Sequence, residues 1–147
     1  MTRVKHNGDY LTRRRFLTTS GALATGLVFS DCATTAIYRT VVLNGRVEVN
    51  IDEHPELAQP GGIILLGVEG VRGAIVLVNA GQNFRALSSV CTHLGCNVRP
   101  SRHFLQCPCH GSTYDLEGNV VRGPAQRALQ TFETHVSGNK VSIVVNG

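Results

Sequence analysis

Two six-residue segments carry the chemistry of this sequence, Cys91-Thr92-His93-Leu94-Gly95-Cys96 and Cys107-Pro108-Cys109-His110-Gly111-Ser112. Each offers a thiol and an imidazole, and two thiolates with two imidazoles can ligate a metal. The order C-x-H then C-x-x-H supplies Cys91, His93, Cys107 and His110 as one such set, leaving Cys96 and Cys109 over, one in each segment. A four-coordinate zinc would use the same donors, but the spacing differs from that of a zinc finger and no helix accompanies it. A c-type haem needs C-x-x-C-H, and Cys107-Pro108-Cys109-His110 falls one residue short. A thioredoxin-like pair needs C-x-x-C beside a βαβ pattern, and neither is present. His6, His54, His103 and His135 stand apart and read as ordinary surface or core imidazoles.

The elements that must position these segments are strands. Val41-Val42-Leu43 and Arg46-Val47-Glu48-Val49 flank Asn44-Gly45, a strong short hairpin signal because both turn residues accept positive φ. A connection bearing proline and acid, Glu53 to Pro60, leads to strand-length runs at Ile63 to Val68, Ala74 to Val78 and Phe84 to Leu87. The chain closes with Thr131 to Val136 and Val141 to Val145, joined through Ser137-Gly138-Asn139-Lys140. No stretch sustains apolar residues at i, i+3, i+4 and i+7, so the pattern predicts an all-β domain. Between Ser88 and Gly123 the alternation weakens, and four of the five cysteines fall there. That stretch reads as an inserted site with too few apolar residues to hold itself together, so a covalent or metallic tie is expected.

With 147 residues the chain is one domain's worth of sequence, which excludes large multidomain readings. Sixteen Gly, five Pro and only 16% charged residues describe a turn-rich folded chain, not a disordered tail or a coiled coil. The formal net charge of +4 points at first to nucleic acid. Yet Arg3, Lys5, Arg13, Arg14 and Arg15 all precede Ser30, and only Asp9 opposes them there. Beyond Ser30 nine basic and nine acidic residues balance, so no nucleic-acid partner is expected.

The early charge looks like an address. Thr12-Arg13-Arg14-Arg15-Phe16-Leu17 followed by the apolar stretch from Gly21 to Phe29 resembles a twin-arginine export signal. Residues 1–36 are therefore read as signal or possible anchor and 37–147 as the exported domain. That resemblance implies export of an already folded, cofactor-loaded protein to the periplasmic side, soluble or attached to the cytoplasmic membrane. The apolar stretch is about half the ~20 residues a spanning helix needs. Its fate is open between cleavage near Cys32 to Ala36, retention as a short anchor, and lipidation at Cys32, which Asp31 disfavours.

Taken together, C-T-H-L-G-C and C-P-C-H-G-S closely resemble the Rieske iron-sulfur signature in its disulfide-containing form. The resemblance runs on through Tyr114-Asp115 and Arg122-Gly123-Pro124-Ala125 to the closing strands. It implies a Rieske-type fold of small antiparallel sheets with an inserted cluster-binding subdomain at about 88–125. It also implies one [2Fe-2S] cluster, with Cys91 and Cys107 on one iron, His93 and His110 on the other, and a Cys96 to Cys109 disulfide tying the loops. Hydroxyls at Ser112 and Tyr114 would hydrogen-bond to a bridging sulfide and a ligand sulfur, draining electron density from the cluster. Leu94 would shield one side and the Gly123-Pro124-Ala125 segment another. The sequence departs from the family in Gln126, where proline often follows, and in a short link of ten residues between Cys96 and Cys107.

A disulfide persists in the periplasm but not in a reducing cytoplasm, whereas cluster iron is normally inserted before export, and folded export reconciles the two. The function implied is one-electron transfer, first as the iron-sulfur subunit of a quinol:cytochrome c reductase-type complex. Its partners would be cytochrome b and cytochrome c type proteins and quinol, the last touching His110. The alternative is a small Rieske subunit of a periplasmic molybdenum oxidase resembling arsenite oxidase, or a free-standing periplasmic carrier. The ferredoxin of a ring-hydroxylating oxygenase is disfavoured, since such carriers are cytosolic and lack the extra cysteine pair.

Overall fold

Strand-length apolar runs separated by Gly, Asn and Pro fold here as three small sheets. The structure is a computed structural model that describes residues 36–145; the twin-arginine stretch, the apolar segment and Cys32 lie outside the described residues. In chain order the strands are β1 (Ile37–Thr40), β2 (Arg46–Asn50), β3 (Ile63–Val68), β4 (Ile75–Asn79), β5 (Phe84–Ser88) and β6 (Arg99–Ser101). They continue with β7 (Phe104–Gln106), β8 (Thr113–Tyr114), β9 (Val120–Arg122), β10 (Thr131–Phe132), β11 (Thr134–Ser137) and β12 (Lys140–Val144). The sheets run β1-β3-β4-β5-β10, β11-β12-β2 and β6-β7-β8-β9. The all-β expectation holds, and among the described residues no helix is long and apolar enough to cross a membrane.

The five-stranded sheet is a wall with a core on each face. Successive side chains in a strand point to opposite faces. Ile64, Leu66 and Val68 of β3 and Ile75 and Leu77 of β4 thus join Val47, Val49, Val141 and Ile143 of the β11-β12-β2 sheet in one buried cluster. Leu65 of β3, Val76 and Val78 of β4 and Leu87 of β5 face the other way, against Val98, Leu105, Tyr114, Ala125 and Leu129. Every residue of β4 is buried, which explains its unbroken apolar run. Fully burying a Val, Leu or Ile side chain is worth roughly 1.5–3 kcal/mol, so both faces hold the wall in place. Asn79 ends β4 by donating from Nδ2 to the Leu57 carbonyl and accepting the Gly81 N–H at Oδ1.

Several local expectations change. Asn44 (φ 53°) and Gly45 (φ 73°) do form the predicted turn, but it closes only the bridge between Leu43 and Arg46. The residues ahead of it leave for the other sheet, where β1 lies parallel to β3 with Ile37 opposite Leu65. The connection from Glu53 to Pro60 begins on the last residue of one 3-10 turn, Ile51–Glu53, and contains a second, Pro55–Ala58. The run from Thr131 to Val136 breaks at Glu133 into β10 and β11, which belong to different sheets. The stretch from Ser88 to Gly123 also has more apolar support than expected, because Val98, Leu105 and Tyr114 are at most 1% exposed against the wall.

At the far edge Tyr38 Oη donates to Glu56 Oε1 at 2.6 Å, tying β1 to the second 3-10 turn. That hydrogen bond raises the Tyr38 hydroxyl above its ordinary value and lowers the Glu56 carboxyl below its own. A lowered acid stabilises the fold above its unfolded pKa and loses that contribution as pH falls through the folded value; a raised phenol loses its contribution as pH rises through its folded value. The stability difference between the native chain and Tyr38→Phe should therefore be present at neutral pH and vanish toward both extremes. Denaturant midpoints across pH check this, and a difference that is flat with pH would rule it out.

Candidate metal centre

The two chemical segments fold as the same loop twice. After β5, Cys91 N–H donates to Cys96 O at 2.7 Å and Gly95 N–H donates to Cys91 O at 2.9 Å. After β7, Cys107 N–H donates to Ser112 O at 2.8 Å and Gly111 N–H donates to Cys107 O at 3.0 Å. Each loop needs its fifth residue at positive φ, 80° at Gly95 and 74° at Gly111, which glycine adopts without a Cβ penalty. Glycine stands four residues after the first cysteine in both segments, a signal of this equivalence that sequence reasoning did not use.

The donors sort by depth. Cys91 and Cys107 are buried, free thiols, whereas His93 and His110 are exposed, with ring centroids 5.2 Å apart and planes at 82°. Cys96 and Cys109 form the disulfide, joining the loops across a Cα separation of 6.5 Å. The sulfurs of Cys96, Cys107 and Cys109 all lie within 4.8 Å of one another, but two of them are spent in the disulfide and have no thiolate to give a metal. What remains is a sulfur pair inside and a nitrogen pair outside, the donor set that a two-iron cluster with unlike ends requires.

Tyr114 is fully buried beneath the first loop. Its hydroxyl lies 3.2 Å from Cys91 Sγ and 3.0 Å from Thr92 Oγ1, and it accepts the Thr92 N–H at 3.1 Å. Burial, together with the hydrogen bond to Cys91, pushes the Tyr114 hydroxyl above its ordinary value, so it keeps its proton and remains a donor. Burial works against ionisation of Cys91, but hydrogen bonds from the Tyr114 hydroxyl, the His93 backbone, Cys107 and Ser112 outweigh it and hold the thiol below its ordinary value. That favours the thiolate that metal binding needs.

A third stretch, running from Gly123-Pro124-Ala125 to Arg127, is fastened to both loops. Ala125 N–H donates to the buried Ser112 Oγ at 3.2 Å, and Thr92 Oγ1 donates to the Arg127 carbonyl at 2.6 Å. Gly123 sits at φ 105° with its α-carbon against the backbone of Ser112. The structure thus brings together all eleven residues singled out in the sequence, from Cys91 to Pro124. Sequence reasoning missed Thr92 and the backbone groups of Ala125 and Arg127, whose part is hydrogen bonding with no motif to mark it. Leu94 projects at the tip, 67% exposed. A hollow of about 790 Å³ along β1 and the end of β3 shares no residue with the loops.

A double-cored β-wall carrying paired thiolate and imidazole loops under one disulfide defines a small all-β metal centre of mixed sulfur and nitrogen donors. Residues 48–133 match the Rieske [2Fe-2S] domain, and the chain belongs to that family and takes one [2Fe-2S] cluster. It is 40% identical over 81 residues to the cytochrome b6-f complex iron-sulfur subunit of Synechococcus sp. strain JA-3-3Ab, covering 54% of this chain and 47% of that one. The corresponding subunit of Gloeobacter violaceus is 35% identical over 105 residues, covering 65% of this chain and 55% of that one. The chain thus spans about half the length of the curated relatives it matches. In fold it is similar to the ferredoxin of carbazole 1,9a-dioxygenase from Nocardioides aromaticivorans, with a TM-score of 0.51 at 18% identity over 67% of this chain and 94% of that one.

Proposed function

We propose that the chain is the iron-sulfur subunit of a quinol-oxidising complex of the cytochrome bc type, passing single electrons from quinol to a c-type or f-type cytochrome beside a cytochrome b. The observation that carries this reading is the exposed imidazole pair, His93 and His110, above the buried thiols in a chain whose relatives are named cytochrome b6-f iron-sulfur subunits. Cys91 and Cys107 would hold one iron and His93 and His110 the other; when bound, the cluster would supply one-electron redox chemistry. The exposed His110 ring takes the hydrogen bond and proton of the quinol hydroxyl, so proton and electron leave the quinol at neighbouring sites. Leu94 gives the tip an apolar contact that excludes water when a partner docks. Ser112 and Tyr114 donate toward sulfur, and the disulfide keeps the loops together after export through a twin-arginine signal to the periplasmic side.

The test is potentiometric titration of the purified protein with electron paramagnetic resonance at several pH values. A midpoint in the upper part of the roughly −150 to +300 mV Rieske span, falling as pH rises, supports the reading. A low midpoint independent of pH would sink it. The hydroxyls supply a second check, because a donor to a sulfur stabilises the reduced cluster. Tyr114→Phe and Ser112→Ala should each lower the midpoint, and unchanged midpoints in both would refute those roles.

A further inference from the structure

The balanced charge of the chain beyond its leader hides a polarity. Between residues 88 and 130 stand four arginines, Arg99, Arg102, Arg122 and Arg127, against only Asp115 and Glu117. Asp115 is itself taken up by Asn119, which donates to both of its carboxylate oxygens. Asp52, Glu53 and Glu56 lie elsewhere, in the two 3-10 turns.

On the flank of the first loop this polarity takes a definite shape. A groove of about 430 Å³ runs beside His93 and Leu94, with Arg72 and Arg127 among its lining and no carboxylate in it. Both arginines are exposed, and the one side-chain ion pair among the described residues is His135 with Glu133, so no carboxylate there neutralises either guanidinium. Arg72 is held against the loop, since a Cβ placed on Gly95 would meet its Nη2 at 2.7 Å. The Arg127 main chain is tied to the same loop, since its carbonyl accepts Thr92 Oγ1. Two unneutralised guanidiniums lining one groove beside the loop that carries an exposed imidazole form a seat for carboxylates.

We propose that the Arg72–Arg127 groove is the docking site for an acidic electron-carrier protein, whose Asp and Glu side chains enter it and place the carrier beside His93. This rests on the electron-transfer reading above. The step it would serve is a single electron passing from the reduced cluster, when bound, which is thereby oxidised, to the carrier's ferric haem, which becomes ferrous, with no bond made or broken. Complementary charge of this kind sets encounter rate and orientation, and it weakens with salt.

The test uses the cluster-loaded protein and the double variant R72Q/R127Q, which keeps the Arg127 carbonyl. Each is titrated with an acidic and a basic c-type cytochrome by surface plasmon resonance at low and high ionic strength. The acidic cytochrome should bind the native protein more tightly, and its Kd should rise about tenfold both in the variant and at high salt; the basic one should be indifferent to the substitutions. Equal affinities for native and variant protein, or tighter binding of the basic cytochrome, would overturn the proposal. The cluster's resonance signal is recorded on the same samples. Loss of the reduced-cluster signal on adding ferric cytochrome, with binding blind to charge, removes the docking site alone, whereas a reduced-cluster signal that persists despite charge-selective binding removes the electron-transfer reading and leaves only a groove for acidic proteins.

Discussion

Replacing Cys96 and Cys109 together by serine should cost about 3 kcal/mol of stability and most of the bound cluster. The disulfide closes a sequence separation of 13 residues, and a loop of that size loses roughly 3 kcal/mol of unfolded-state restraint when its crosslink is removed. The loops would keep the packing of Val98, Leu105 and Tyr114 against the wall, so the domain should still fold. Cys96 and Cys109 occupy the tips, however, where Cys109 is exposed and only Cys96 packs against the cluster of Val98, Leu105 and Tyr114. Denaturant unfolding gives the stability, and iron and sulfide content per chain gives the occupancy. Unchanged values in both would show that the outer core alone secures the loops.

Gly123→Ala should be still more damaging for its size. A Cβ there would stand 2.5 Å from Ser112 Cα and 2.9 Å from Ser112 N, both backbone atoms, at a φ of 105° that L residues rarely adopt. Left-handed backbone at a non-glycine residue costs roughly 1–3 kcal/mol, and the clash adds to that because neither partner can rotate away. Relief requires moving either the Pro124 segment or Ser112, which breaks the Ala125 N–H bond to Ser112 Oγ. A loss of about 3 kcal/mol with an altered resonance spectrum is expected. Gly111→Ala is the control, since at φ 74° it meets nothing within 4 Å and should cost only about 1 kcal/mol. Equal effects at the two positions would contradict the steric account.

What could be read in advance followed from how tightly chemistry restricts residue choice. A mixed thiolate and imidazole donor set leaves few substitutes, so Cys91, His93, Cys107 and His110 were visible as a group from type and spacing. The wall was visible because β3, β4 and β5 are long enough to show apolar runs. Strands β6 to β9 were not, since two or three residues cannot display a period, and β6 carries Pro100 at a sheet edge where a missing N–H is tolerated. The parallel pairing of β1 was hidden for another reason. Asn44-Gly45 is a local signal and was realised locally, while the partner of β1 is set by the distant strand β3. Thr92 escaped notice because its partners, the Tyr114 hydroxyl and the Arg127 carbonyl, lie 22 and 35 residues away.

The wall between two cores also dictates where this chain can change length. Neighbouring residues of β4 belong to opposite cores, so adding one residue between Ile75 and Leu77 would turn one of them out of their shared cluster and toward the other core. Both halves of the interior would be mis-sized at once. The turn between β6 and β7, where Arg102 already takes a φ of 53°, touches neither obligation. Enlarging it costs only loop closure, about 0.6 kcal/mol for each doubling of its length. Growth of the link between Cys96 and Cys107 is therefore nearly free for the fold, leaving that hairpin as the natural place for an insertion that reshapes the lobe around the metal while the wall stays unaltered.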